Sequence, residues 1–188
     1  NTQATLKDVD ISVNITEEKL KRALNSLIPN DIYVKNAKIV QDDFHARFMV
    51  KRKEYVYILN MGEYDPIKRN YEYQYCKKLD VDKMKEAIKY MEGTHDFQNL
   101  SSNEIKEKST IKTIYSAKIK KEKDKLIFTF CGNGFLRYMV RVMVGVLIEV
   151  GKGKIDVDDI PLIIDGTYNK NYKKVANPEG LYLNNVEY

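Results

Sequence analysis

Residues 125–150 read KLIFTFCGNGFLRYMVRVMVGVLIEV, a strand signal, a break and a helix signal in immediate succession. Lys125 to Cys131 is rich in aliphatic and aromatic side chains, the Gly132-Asn133-Gly134 triplet interrupts it, and Phe135 to Val150 is apolar almost all round. A helix with no polar face belongs in a core, so this one predicts a buried cylinder packed on a sheet. Its apolar Val142 to Val150 run is bounded by Arg141 and Lys152 and contains Glu149. That falls short of the roughly 20 apolar residues that a membrane span requires. Upstream, Thr110 to Lys120 is a second strand signal, and the Lys121-Glu122-Lys123-Asp124 turn joins the two as an antiparallel hairpin.

The flanking segments extend the same pattern. Phe44 to Leu59 reads as one extended segment, with Tyr55, Tyr57 and Leu59 on one face and Val56 and Ile58 on the other. Tyr71 to Tyr75 is a short aromatic strand, and Asp80 to Met91 an amphipathic helix with Met84, Ala87, Ile88 and Met91 inward. Gly93 to Asn103 reads as a polar loop, Asp159 to Ile164 as a short helix and Leu181 to Val186 as a last strand. Toward the amino terminus, Thr16 caps a helix reaching Leu27, and the Val- and Ile-containing Ile32 to Val40 segment predicts a strand that ends at Asp42-Asp43. A junction there divides the chain into residues 1–43 and 44–188. Strands outnumber helices and sequence neighbours pair as hairpins, with the long helices covering one face of the sheet: an α+β arrangement.

Composition narrows the function classes. With 43% hydrophobic and 31% charged residues in 188, the chain has the profile of a folded globular protein, not of a disordered tail. Thirty-two Lys and Arg against 27 Asp and Glu leave +5, which suits an acidic partner. Two cysteines, Cys76 and Cys131, with no Cys-x-x-Cys pairing, fit a reducing compartment, hence the cytoplasm. His45 and His95 stand too far apart in sequence to suggest a zinc site, and Asp156, Asp158 and Asp159 lack the Gly and distal Glu of a calcium loop, so no metal is expected. No glycine-rich phosphate loop is present, which leaves a nucleotide cofactor without a cradle, and no Ser or Cys has a base nearby in sequence.

Two groups of residues can carry chemistry. Arg137 and Arg141 sit four apart on the apolar helix from Phe135, and a buried guanidinium requires an anion. The helix neighbours of Arg141, namely Arg137, Tyr138, Val144 and Gly145, offer none, so the partner comes from a distant segment or from a ligand. A structural salt bridge is the ordinary way to meet that requirement, and an active-site contact is the alternative. Gly145, one turn on, leaves room for another backbone or a substrate. The second group is His45, Arg47, Lys51, Arg52 and Lys53 with Phe44, Phe48 and Tyr55, cations interleaved with rings, as suits the phosphates and bases of RNA. Lysines at 77–78, 106–108, 118–125 and 173–174 extend a basic face or form ordinary solvated surface.

Taken in order, Phe44-His45-Ala46-Arg47-Phe48, Tyr55-Val56-Tyr57, Gly93-Thr94-His95-Asp96-Phe97, the Gly134 to Arg141 segment with Gly145, and Pro178-Glu179-Gly180-Leu181-Tyr182-Leu183 resemble the tRNA pseudouridine synthase A family. The resemblance implies a cofactor-free isomerase that detaches uracil from ribose, turns it and rejoins it through carbon five. The implied substrate is the tRNA anticodon stem-loop, typically at positions 38, 39 and 40. It also implies a mixed sheet of two ferredoxin-like halves, usually in a homodimer. Tyr55 is then the tyrosine that packs on the target base and assists proton removal, and Arg141 the arginine that pairs with the catalytic aspartate.

One departure stands out. The family's nucleophilic aspartate belongs to a Gly-Arg-Thr-Asp-Ala-Gly-Val-His segment, and these 188 residues contain none. Thr94-His95-Asp96 belongs to a different motif. The expectation is therefore a carboxy-terminal portion of a synthase, with the first half-domain truncated and no activity by itself. The alternatives are a non-catalytic RNA-binding module and a structural protein in which Arg141 has an internal partner. Asn177 and Val142 depart from the residues common at those family positions.

Overall fold

A computed structural model describes residues 14–102 and 109–188. They fall into two units, residues 14–49 and residues 50–188. In the second, strand β1 (Arg52–Asn60) is central. It pairs antiparallel with β5 (Lys125–Gly132) over eight residues and antiparallel with β6 (Leu181–Glu187) on its other side, where the two-residue β2 (Tyr73–Gln74) also joins it in parallel. Beyond β5 lie β4 (Ile111–Glu122) and the four-residue β3 (Gly93–Asp96), giving a mixed six-stranded sheet. Helix α2 (Val81–Ala87) follows β1 and β2, and α3 (Met139–Gly151) connects β5 towards β6. The order β6-β1-β5-β4 with these helices is the ferredoxin-like β-α-β-β-α-β arrangement.

Period-two patterning decides which face is buried. Tyr57, Leu59, Leu126, Phe128 and Phe130 are fully buried and form one core with Met84 of α2 and Met143 and Leu147 of α3, whereas Val56, Ile58, Ile127 and Thr129 fall on the opposite face of the sheet. Every residue of α3 except Arg141 is buried, as the absence of a polar face requires. The short α4 (Ile160–Asp165) adds Ile160, Ile163 and Ile164 to that core. Gly145 is needed because a Cβ there would lie 2.0 Å from the Lys174 carbonyl oxygen, so the room that it leaves is filled by another backbone.

The hairpin and the last strand match the sequence reading. Three details differ. Asp80 to Met91 is α-helical only to Ala87 and finishes as a 3₁₀ turn. Gly93–Asp96 is an edge strand on β4, not a loop. The buried helix begins at Met139, not Phe135, because Tyr138 takes a left-handed conformation (φ 62°) that interrupts it. Arg137 therefore lies in a turn and shares no helical stripe with Arg141.

In residues 14–49, α1 (Glu17–Leu27) is capped by Thr16, whose hydroxyl accepts from the Lys19 amide. The expected Ile32 to Val40 strand does not form. Its backbone is tied to α1 by side chains instead: Asn25 donates to the Val34 carbonyl (3.0 Å) and accepts from the Val34 amide (2.8 Å), and Glu17 accepts from the Ile39 amide (2.7 Å). Nor does β1 begin at Phe44. Residues 44–49 turn around His45, whose carbonyl accepts from the Phe48 and Met49 amides and whose Nδ1 accepts from the Arg47 amide.

Candidate active site around Tyr55 and Arg141

Tyr55 stands between Phe130 of β5 and Leu183 of β6, near the end of the core-facing row of β1. Its ring meets Phe135 edge-on, with centroids 5.0 Å apart. Beside it the β1–β6 register slips by one residue: Glu54 opposes Asn185 and Tyr55 opposes Leu183, so Asn184 is bulged. The bulged Asn184 amide donates to the Glu54 carboxylate (2.6 Å). Such bulges re-aim side chains and recur beside active sites. Burial raises the pKa of the Tyr55 phenol, so it is protonated at neutral pH.

Arg141 occupies the first turn of α3, half-buried at the rim of the core. Its Nε donates to the Ala176 carbonyl (2.7 Å), and its own carbonyl accepts from the Ala176 amide (3.0 Å). Its guanidinium carbon lies 5.0 Å from the centre of the Tyr138 ring. Among the described residues no carboxylate stands within 4.0 Å of it. Access to water relaxes the demand that full burial would have imposed. The neighbouring Tyr57 donates its hydroxyl to the Asn177 carbonyl (2.6 Å). Burial pushes the Tyr57 phenol far up and Tyr73 adds to the shift, while the Arg141 charge opposes it.

Arg137 is exposed, its guanidinium carbon 5.1 Å from the same Tyr138 ring. The β5–α3 loop places Phe135 against the Tyr55 ring and Arg137 over Tyr138, a ring that Arg141 of α3 also approaches. Lys51 precedes β1, and Arg52 and Lys53 are its first two residues. Arg52 pairs with Glu187 (3.8 Å) and lies over the Tyr115 ring (5.0 Å), and the Lys51 amide donates to the Glu187 carbonyl. His45 and Arg47 belong to residues 14–49, where both approach the Phe48 ring. Of the lysine runs, Lys120 pairs with Glu122 and Lys125 with Glu72, so part of that surface is internally neutralised. Lys106 and Lys108 lie outside the described residues. Among the described residues no cluster of His, Cys, Asp or Glu is arranged to hold a metal, and no helix is long and apolar enough to cross a membrane.

Three features here carry little or no mark in the sequence. The Phe135 contact with Tyr55 is hidden when that residue is read as helical. Tyr138 gives no sign of its conformation. Ala176 is reachable only through Gly145, whose missing side chain signals a close backbone approach.

A mixed sheet of this ferredoxin-like topology is consistent with the pseudouridine synthase fold, and residues 87–188 match the family model described as tRNA pseudouridine synthase. Among curated proteins, tRNA pseudouridine synthase A 1 of Bacillus cereus is 41% identical over 180 residues, covering 95% of this chain and 73% of that protein. The tRNA pseudouridine synthase A of Anoxybacillus flavithermus is 40% identical over 179 residues, with the same shares, and that of Limosilactobacillus reuteri 38% identical over 182, covering 95% and 71%. The chain belongs to the tRNA pseudouridine synthase A family, a family of isomerases.

Proposed function

We propose that residues 44–188 form the carboxy-terminal half of a catalytic cleft that converts uridine to pseudouridine in the tRNA anticodon stem-loop, at positions 38–40. Residues up to 43 then belong to the preceding half-domain. The reaction breaks the C1′–N1 bond, turns the uracil and forms C1′–C5; the hydrogen at C5 leaves and N1 takes up a proton. Reactant and product are isomers, so neither oxidant nor cofactor enters. Tyr55 packs against the target base as a neutral phenol. A raised phenol pKa favours stacking and hydrogen bonding over action as a phenolate base. Arg141 pairs with the nucleophilic aspartate supplied by a Gly-Arg-Thr-Asp-Ala-Gly-Val-His segment, while His45, Arg47, Lys51, Arg52, Lys53 and Arg137 engage RNA phosphates. The working form is a cytoplasmic homodimer; the free thiols of Cys76 and Cys131 agree with a reducing compartment.

The observation that carries this reading is Arg141. Its Nε is fixed by a backbone carbonyl, and among the described residues no carboxylate answers its charge. Release of tritium from tRNA labelled at uridine C5 tests it directly. The 188-residue chain alone, having no such aspartate segment, is expected to release none, whereas the same chain preceded by that segment releases tritium and loses the activity on Arg141→Ala. Turnover by the 188 residues alone, or full activity of the Arg141→Ala protein, defeats the proposal. The reading as an RNA-binding module without chemistry predicts tRNA binding that weakens steeply with salt, and no release with either protein.

A further inference from the structure

Tyr138 is held in the left-handed region, φ 62° and ψ 0°, which costs a side-chain-bearing residue free energy that Gly or Asn largely avoids. The path of the chain imposes the turn: Leu136 and Met139 are both in the core, and the exposed Arg137 and Tyr138 lie between them. Three backbone bonds fix it, from Ser102 N to Arg137 O, from Met139 N to Leu136 O and from Val142 N to Tyr138 O. Turn geometry alone would therefore be served better by Asn or Gly. What Tyr adds is its ring, 43% exposed, with the guanidinium carbons of Arg137 and Arg141 at 5.1 and 5.0 Å from its centre.

An exposed ring with guanidinium groups over it has the chemistry of a nucleotide platform: the exposed part of the ring meets a base and Arg137 a flanking phosphate, while Arg141 serves the uridine site. We propose that Tyr138 is a substrate-contacting residue that stacks on an unpaired nucleobase of the tRNA next to the target uridine. This rests on Arg141 and Tyr55 marking the uridine site. The ring shares Arg141 with that site, so the nucleotide it takes is a neighbour of the one undergoing reaction. Holding a base there keeps the strand splayed while the uracil turns.

The absence of tryptophan makes the test direct. Tyr138→Trp places a single indole at the position of the ring. Titration of that variant with an unmodified tRNA transcript at about 0.1 M salt is expected to quench its emission strongly, while the anisotropy of labelled tRNA follows binding independently. In parallel, Tyr138→Asn relieves the backbone but removes the ring. Its tRNA affinity is expected to fall about 5- to 100-fold, as for one lost base–ring stack, with Tm within about 4 °C of the parent. Tyr138→Phe, which keeps the ring, is expected to bind within about threefold of the parent. Indole emission that stays unquenched while anisotropy reports binding, or undiminished affinity of Tyr138→Asn, overturns the stacking role and leaves the function above intact. Failure of the parent protein to bind tRNA at all overturns the RNA reading on which both rest.

Discussion

Substituting Gly145 by alanine separates a packing effect from a propensity effect, because the two have opposite signs. In the interior of an isolated helix, Gly to Ala stabilises by about 1 kcal/mol. In α3 the new methyl would stand 2.0 Å from the Lys174 carbonyl oxygen and 2.7 Å from its carbon, both backbone atoms that cannot swing aside as a flexible side chain would. The 174–176 segment must retreat, which breaks the paired bonds between Arg141 and Ala176. Overpacking costs about 1–3 kcal/mol and each lost hydrogen bond about 1 kcal/mol, so after subtracting the propensity gain the net destabilisation is about 2–4 kcal/mol. For a chain of this length that lowers Tm by roughly 5–15 °C. Thermal unfolding followed by circular dichroism reads it. An unchanged or raised Tm would refute the close approach of the 174–176 segment to α3, and with it the fixed placement of Arg141.

Tyr57→Phe removes the donor to the Asn177 carbonyl and is expected to cost about 1–2 kcal/mol, measured by urea unfolding. The same phenol gives a pH signature. Because the folded state holds the Tyr55 and Tyr57 protons more tightly than the unfolded chain does, their contribution is complete below the ordinary tyrosine value of 10.0 and declines as pH rises above it. Stability therefore falls as pH rises above about 10, and Tyr57→Phe flattens that fall; equal slopes in the two proteins would contradict it. Asn25→Ala removes both bonds to Val34, so hydrogen exchange at the Val34 amide is expected to accelerate about tenfold, equivalent to roughly 1.4 kcal/mol, with no change at core amides such as Phe128.

The parts of the fold legible in sequence were those where period and burial agree. β5 could be read because its buried positions alternate without interruption and α3 because it is apolar almost all round, whereas in β4 a register shift between Ile114 and Ser116 offsets the buried Ile114 from Ala117 and Ile119. Ile32 to Val40 misled because Val and Ile content reports a preference for extended backbone, not the presence of a strand partner; Asn25 and Glu17 hold that backbone instead. Gly93–Asp96 was unreadable for the converse reason. It is short and largely exposed, and what makes it a strand is β4 alongside, with a Thr94–Thr113 hydroxyl contact at 2.8 Å across the pair. At the candidate site, motif order singles out Tyr55 and Arg141, while the conformation of Tyr138 arises from the chain passing between two buried neighbours, a tertiary condition with no local code.

The paired bonds between Arg141 and Ala176 bear on entropy as well as position. A free arginine side chain loses up to about 2 kcal/mol of rotamer freedom when it is immobilised. Here Nε is engaged by a carbonyl 35 residues away in sequence, so much of that loss occurs when the chain folds. An anion arriving at the outer nitrogens meets a guanidinium whose orientation is already selected, and the free energy of their encounter is diminished less by ordering than it would be at a mobile lysine.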